Sequence, residues 1–249
     1  MSGHSKWATI KRKKAATDQA RGKLFSKYIK EITIAARHGG GDVEANPRLR
    51  SAVAAAKNVN MPATNIERAI KRGTGEIEGV SYEETQYEGY APGGVALLVE
   101  VATDNRNRTA GDIRHLFTKH GGNMAEAGSV SYLFKLRGVL LVDKATVAED
   151  TLIELVLEAG ADDVSTEGDT YEVLTPPARL EAVKGALEAK SVPIQSAELT
   201  KVASIQVPVT AKDAGALLRL VDALEEHEDV QKVYANFNVP DELLARLSQ

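Results

Sequence analysis

The chain has 249 residues, 43% of them hydrophobic and 27% charged, an ordinary balance for a globular protein and too long for one minimal core. It has no cysteine, which excludes disulfides, thiolate catalysis and cysteine-based zinc sites and agrees with a reducing, cytoplasmic location. No stretch approaches the roughly 18 uninterrupted apolar residues of a membrane span, and no apolar segment of a secretory signal follows the basic N-terminus.

Charge is segregated along the chain. Residues 1–75 carry 16 of the 31 bases and five of the 35 acids, which leaves 15 bases and 30 acids to residues 76–249. The stretch from His4 to Lys30 alone holds nine Lys or Arg against Asp18. A basic module built to meet a polyanion, attached to acidic modules with another task, accounts for this asymmetry.

In chain order, residues 1–16 read as a basic arm with too little apolar content to pack by itself. Thr17 can cap a first helix that runs to about His38, where Gly39-Gly40-Gly41 stops it. On a helical wheel Leu24, Tyr28, Ile32 and Ala35 share one side, while Lys23, Lys27, Lys30 and Arg37 lie opposite, with Ile34 out of place among them. Asn46-Pro47 opens a second helix. In "NMPATNIERAIKRGTG", Thr64 and Glu67 form a capping-box pattern for a third helix that ends at Gly73.

From Tyr82 the period changes. "YEGYAPGGVALLVEVATDN" reads as strand, turn, strand; "NRTAGDIRHLFTKHGG" as a helix capped by Thr109; and "SVSYLFK" as another strand. "GVLLVD", "TVAEDTLIELVLEAGA", a short strand near Val164, "TYEVLT", "PARLEAVKGALEAK" and "IQSAELTKVA" then complete a β-α-β-β-α-β, ferredoxin-like unit. "SIQVPVT", "AKDAGALLRLVDALEEH" and "VQKVYANFNV" follow as β-α-β, whose partner is the earlier unit. The expected fold is α+β: an N-terminal three-helix domain with a basic arm, then two ferredoxin-like domains, one inserted in the other. Expected boundaries are residues 1–79, residues 80–136 plus 204–249, and residues 137–203 for the insertion.

Catalytic signals are weak. The glycines at 73, 75 and 79 do not make GxGxxG, and no GxxxxGK[ST] occurs. His115 and His120 lack the HExxH spacing that puts two ligands on one helix face. No nucleophile is singled out by its neighbours, so no catalytic residue, metal or cofactor is expected. Acids in "LEEHED" and "AEDTLIEL" read as solvated charge on helix surfaces.

Polyanion binding is the stronger reading. Lys11, Arg12, Lys13 and Lys14 can follow a phosphate backbone and gain from release of condensed counterions. Trp7, beside Lys6, either stacks on a base or anchors the arm. Arg21, Lys23, Lys27 and Lys30 extend the patch along the first helix, and Arg68, Lys71 and Arg72 add a second helix face. In "TDNRNRT" a strand meets a helix start, where Arg106, Asn107 and Arg108 offer donors to phosphate or base edges. The alternative there is an ordinary polar turn in which the arginines pair with Asp104 and Asp112.

"GHSKW", "RGKLFSK", "NPRLR", "NIERAIKRGTGE", "YEGYAPGG", "TDNRNRT" and "FTKHGG" together resemble the YebC/PmpR family, in order along the chain and most densely up to about residue 135. The resemblance implies a three-domain, non-enzymatic, cytoplasmic α+β protein of the kind described as probable transcriptional regulators. Family members are assigned to DNA-binding transcriptional control, and also to the ribosome, where they assist translation through consecutive prolines; a mitochondrial branch activates translation of cytochrome c oxidase. Two functions are therefore expected as alternatives, a DNA-binding regulator and a factor bound to ribosomal RNA, tRNA or the ribosome. Against a helix-turn-helix reader, the third helix begins with Asn65, Ile66 and Glu67 and carries its bases late. No membrane partner is expected, and the absence of coiled-coil heptads favours a monomer.

Overall fold

Three helices, α1 (Asp18–Gly39), α2 (Pro47–Asn58) and α3 (Ala63–Thr74), open the computed structural model, which describes residues 18–166 and 169–239. Asn46 caps α2 as its sequence predicts, its Oδ1 accepting from Leu49 N at 3.1 Å. Its amide also donates to Ala35 O and Gly40 O, so the cap ties α2 to the end of α1. Ile32, Leu49, Val53 and Ile66 fill the core between the helices. Leu24, assigned to the apolar side, is instead 39% exposed, one turn short of that core.

Two expectations for α3 are corrected. The helix starts before Thr64, with Pro62 at the cap position and no side-chain cap bond; the Pro62 carbonyl takes the first bonds from Asn65 N and Ile66 N. At the other end Gly73 is still helical, and Gly75, at φ 80°, turns the chain in the left-handed region that favours glycine. Gly73 serves a different purpose, because a Cβ there would lie 2.4 Å from Thr33 O and 2.7 Å from Ala36 Cβ of α1.

β1 (Glu83–Ala91) and β2 (Val95–Thr103) form an antiparallel hairpin, followed by α4 (Arg106–Lys119) and β3 (Asn123–Ala125), which pairs with β1. The cap of α4 is Asn105, whose side chain accepts from Arg108 N; Thr109, expected to cap, lies buried inside the first turn. "SVSYLFK" is not a strand of this unit. Ser131–Leu133 is a 3₁₀ turn, and β4 (Phe134–Asp143) runs unbroken through the expected boundary at residue 136. The cause is Glu88, a buried carboxylate that accepts from the backbone N–H groups of Gly128, Val130 and Ser131 and so gathers this segment into a turn. Burial pushes the Glu88 carboxyl upward, but these three donors outweigh it and hold it below its ordinary value.

β4, α5 (Glu149–Glu158), β5 (Asp163–Ser165), β6 (Thr170–Thr175), α6 (Leu180–Ala189) and β7 (Ile194–Ala203) build the inserted unit, with sheet order β5-β6-β4-β7 and every neighbour antiparallel. The chain then returns through β8 (Val207–Pro208), α7 (Ala211–Glu226), β9 (Val230–Ala235) and β10 (Phe237–Asn238). β9 pairs with β2, which completes a sheet of order β3-β1-β2-β9. Both sheets thus share one ferredoxin-like arrangement, except that β1 fills the central position by preceding β2 where β6 follows β4. "SIQVPVT", expected to be a strand of this sheet, contributes only β8, which pairs in parallel with β10 outside it. Pro208 lacks the N–H that a longer ladder needs.

The apolar run of β2 follows from burial on both faces. Leu97, Val99 and Val101 meet Ile113 and Phe117 of α4 and Leu217 and Leu220 of α7, while Ala96 and Leu98 meet Phe134 and Tyr234 on the opposite face. Each such large side chain contributes roughly 1.5–3 kcal/mol. Gly73→Ala is expected to destabilise the helical unit by about 1–3 kcal/mol, because neither the α1 backbone nor Ala36 can retreat. Chemical denaturation measures this, and an unchanged midpoint would contradict the close α1–α3 approach.

Candidate nucleic-acid interface and the junction behind it

The basic side of α1 faces the acidic end of α7 and the turn into β9. Lys27 Nζ donates to Glu225 O at 2.5 Å, Lys30 Nζ donates to Glu228 O at 3.0 Å, and Lys23 stands 3.8 Å from Glu226. Lys30 also donates to Asp229 Oδ1 at 2.5 Å, and both side chains are buried, Asp229 to 1% exposure. Ile34, the apolar residue among the bases, is buried as well, outside the cluster that holds the three helices together. The side of α1 that looks like a free basic face is therefore largely a docking face for the chain's own acidic unit.

Asp229 satisfies its second oxygen from α4 and β2. Oδ2 accepts from Thr109 Oγ1 at 2.7 Å, Arg108 Nη2 at 2.9 Å and Thr103 Oγ1 at 3.3 Å, and Thr103 and Thr109 hydroxyls lie 2.8 Å apart. Burial pushes this carboxyl upward, but Lys30, Thr109 and Arg108 outweigh it and hold it well below the ordinary carboxylate range. "LEEHED", read as solvated charge, thus contains the most enclosed ion pair at this junction. The only sequence signal for it is position, since Asp229 follows the helix and directly precedes the apolar strand at Val230.

The candidate residues divide accordingly. Lys6, Trp7, Lys11, Arg12, Lys13 and Lys14 lie outside the described residues, as does Thr17, and the Arg21 side chain is likewise not described. Lys23 is exposed and its long contact with Glu226 is weak. Lys27 and Lys30 are held at the junction, so they do not form one continuous open patch with α3. Arg108 pairs with Asp104 at 2.8 Å as well as with Asp229, which realises the polar-turn alternative with Asp229 in place of Asp112; Asp112 lies instead 3.5 Å from His227. The α4 start expected to attract anions is partly occupied by its own Asn105 cap.

Arg68, Lys71, Arg106 and Asn107 remain on the surface. Among the described residues none of the three cations has a carboxylate within 4.0 Å; Arg106 reaches only Thr85 Oγ1, at 3.5 Å. Arg72, the third base of α3, turns away from Arg68 and Lys71 into the cleft between the helical and α+β units. Among the described residues no group of three or more His, Asp or Glu is placed to hold a metal.

Two further ties secure the units. Arg48 of α2 forks between Glu31 of α1 and Glu84 of β1, at 2.8 and 2.6 Å. Lys201 of the inserted unit meets Glu100 of β2 at 2.6 Å, and Tyr234 OH donates to the same carboxylate.

Removing one partner of a buried pair strands the other charge, so Asp229→Ala should cost about 3–5 kcal/mol, and the double variant Lys30→Met/Asp229→Leu clearly less. Because folding lowers the Asp229 pKa, its contribution is complete above the unfolded value near ~3.9 and is lost only as pH falls through the lower folded value. The stability difference between the protein and Asp229→Asn should therefore be constant from neutral pH down to about 5 and shrink below that. A difference that already collapses near pH 6 would place the controlling group elsewhere.

Comparison with known proteins agrees with this architecture. A model described as the TACO1/YebC protein N-terminal domain matches residues 5–76, and one described as the TACO1/YebC second and third domain matches residues 82–237. A probable transcriptional regulatory protein of Dictyoglomus turgidum is 57% identical over 249 residues, covering 100% of both chains. One of Desulforapulum autotrophicum is 56% identical over 243 residues, covering 98% of both. The crystal structure of a conserved hypothetical protein of Aquifex aeolicus superposes with a TM-score of 0.79 at 50% identity, covering 91% of this chain and 94% of that one. With both models together spanning nearly the whole fold and relatives this similar, the chain belongs to the TACO1/YebC family.

Proposed function

We propose that this protein is a non-enzymatic, cytoplasmic regulator of gene expression that works as a monomer by binding nucleic acid. The observation that carries the reading is the charge segregation, 16 bases against five acids in residues 1–75, of which Lys27 and Lys30 are consumed at the junction while Arg68 and Lys71 stay exposed, with no carboxylate partner among the described residues. The arm residues Lys6, Trp7, Lys11, Arg12, Lys13 and Lys14, with Arg68, Lys71, Arg106 and Asn107, form the contact set. The names of the relatives, probable transcriptional regulatory proteins, support a regulatory role in general.

One observation favours RNA as a second reading. At the start of α3 Ile66 is buried, and at its end Arg72 turns into the cleft, so the helix presents Arg68 and Lys71 as two isolated exposed cations rather than a continuous base-reading edge. Such a surface suits backbone and shape recognition, the mode by which folded RNA, including the ribosome, is bound.

In filter binding against duplex DNA and structured RNA, about six phosphate contacts should give a slope near −4 to −5 for log affinity against log salt. Arg68→Glu/Lys71→Glu should weaken binding at least tenfold and flatten that slope. Ultraviolet crosslinking in growing cells separates the readings: reads on promoter segments support DNA, and reads on ribosomal RNA or tRNA support the second. Absence of any crosslinked nucleic acid above background would overturn both.

A further inference from the structure

One cation at the junction is left unused by the docking. The cleft there, about 330 Å³, is bounded by Lys30 on α1, Arg72 on α3, Tyr82 on the linker, Arg108 on α4 and the Glu228–Asp229 turn. Lys30 and Arg108 spend their charge on Asp229, and Asp104 is neutralised by Arg108. Arg72 has no such partner among the described residues. Its Nε is buried without an acceptor, and among the described residues its guanidinium has neither a hydrogen bond nor a carboxylate within 4.0 Å.

This guanidinium is also held in place. A Cβ on Gly79 would stand only 3.0 and 3.1 Å from Arg72 Cγ and Cδ, so the linker backbone lies directly against the Arg72 stem. Burying Nε without an acceptor is unfavourable, and the linker packed against the stem restricts the movement that would relieve it. A fixed guanidinium with open donors is the side chain best matched to a tetrahedral oxyanion, because its planar fork places two parallel hydrogen bonds. The Tyr82 ring, with the Lys30 ammonium 5.6 Å from its centroid, forms the wall beside it.

We propose that this cleft is a phosphate-binding site anchored by Arg72. Glu228, exposed at the rim, is the one acid of the cleft whose carboxylate no cation neutralises among the described residues. It opposes a dianion more than a monoanion, which favours a singly charged phosphate such as a phosphodiester. The phosphate can come from a nucleic-acid backbone or from a free phosphorylated compound. The first source rests on the nucleic-acid reading above and extends it to a point of entry between the units; the second does not depend on it.

The test follows the Arg72 Nε–H resonance of the full-length protein while inorganic phosphate is added, and separately a short single-stranded oligonucleotide. Calorimetry of phosphate binding to Arg72→Gln and Arg72→Lys accompanies it, with circular dichroism to check folding. The expected result is a saturable shift with phosphate, an affinity loss of at least tenfold in Arg72→Gln, and a smaller loss in Arg72→Lys, which keeps the charge without the fork. An oligonucleotide that moves the same resonance and is displaced by phosphate identifies a backbone source; a shift with phosphate alone identifies a free compound. An Arg72 resonance unmoved by millimolar phosphate, or undiminished binding in a folded Arg72→Gln variant, would overturn the site. Oligonucleotide binding that leaves the Arg72 resonance unmoved, with no phosphate binding, would reject the cleft while leaving the nucleic-acid reading intact. Should Arg72→Gln fail to fold, the resonance in the unaltered protein decides the question alone.

Discussion

The buried pair between Lys30 and Asp229 is the constraint on which the arrangement of units depends. Neither charge is tolerable alone in that position, since a stranded buried ion costs several kcal/mol. Each therefore commits the element that carries it: Lys30 fixes α1, and Asp229 fixes the α7–β9 turn, while Thr103, Thr109 and Arg108 bring β2 and α4 to the same carboxylate. A hydrophobic contact of similar area would hold the units together but leave their rotation less defined. Directional bonds from three elements to one carboxylate on a fourth leave little such freedom.

This changes the meaning of the charge asymmetry. The basic first third and the acidic remainder partly neutralise each other within the molecule, through Lys30 with Asp229 and, more weakly, Lys23 with Glu226, while Lys27 is held by the Glu225 carbonyl. Among the described residues, the charges left outside this internal pairing include the exposed bases Arg68 and Lys71 of α3 and Arg106 of α4. Segregated charge in a sequence signals both possibilities, attraction to an external partner and attraction between domains. Burial tells them apart: Lys30 is enclosed, whereas Arg68 and Lys71 face water.

Most individual elements are legible in the sequence, because their signals are local. The Asn46-Pro47 start, the hairpin around Pro92–Gly94, and the strands at 170–175 and 194–203 all lie where alternation, capping and turn residues put them. Three of the differences share one physical cause, a tertiary contact that overrode a local preference. Glu88 bends the segment after β3 into a turn that its β-prone residues do not demand. Thr109 has the chemistry of a cap, but Asp229 and Thr103 take its hydroxyl, and Asn105 caps instead. Gly73 has the signature of a helix stop, yet the close approach of Thr33 and Ala36 is what requires glycine there.

By itself the sequence determined the fold class, the insertion of one ferredoxin-like unit in another, the absence of cysteine chemistry and the location of the basic block, since these follow from composition, periodicity and the order of elements. Only the tertiary structure decided which bases are available. Whether a lysine is a docking contact or an open charge depends on what stands opposite it, and Asp229 lies 199 residues from Lys30 along the chain. Likewise the separation of Arg72 from Arg68 and Lys71, its neighbours on one helix, arises because α3 packs against α1 at a junction whose other wall comes from distant turns. Sequence spacing reports the face on which a residue sits, but not the surface that covers it.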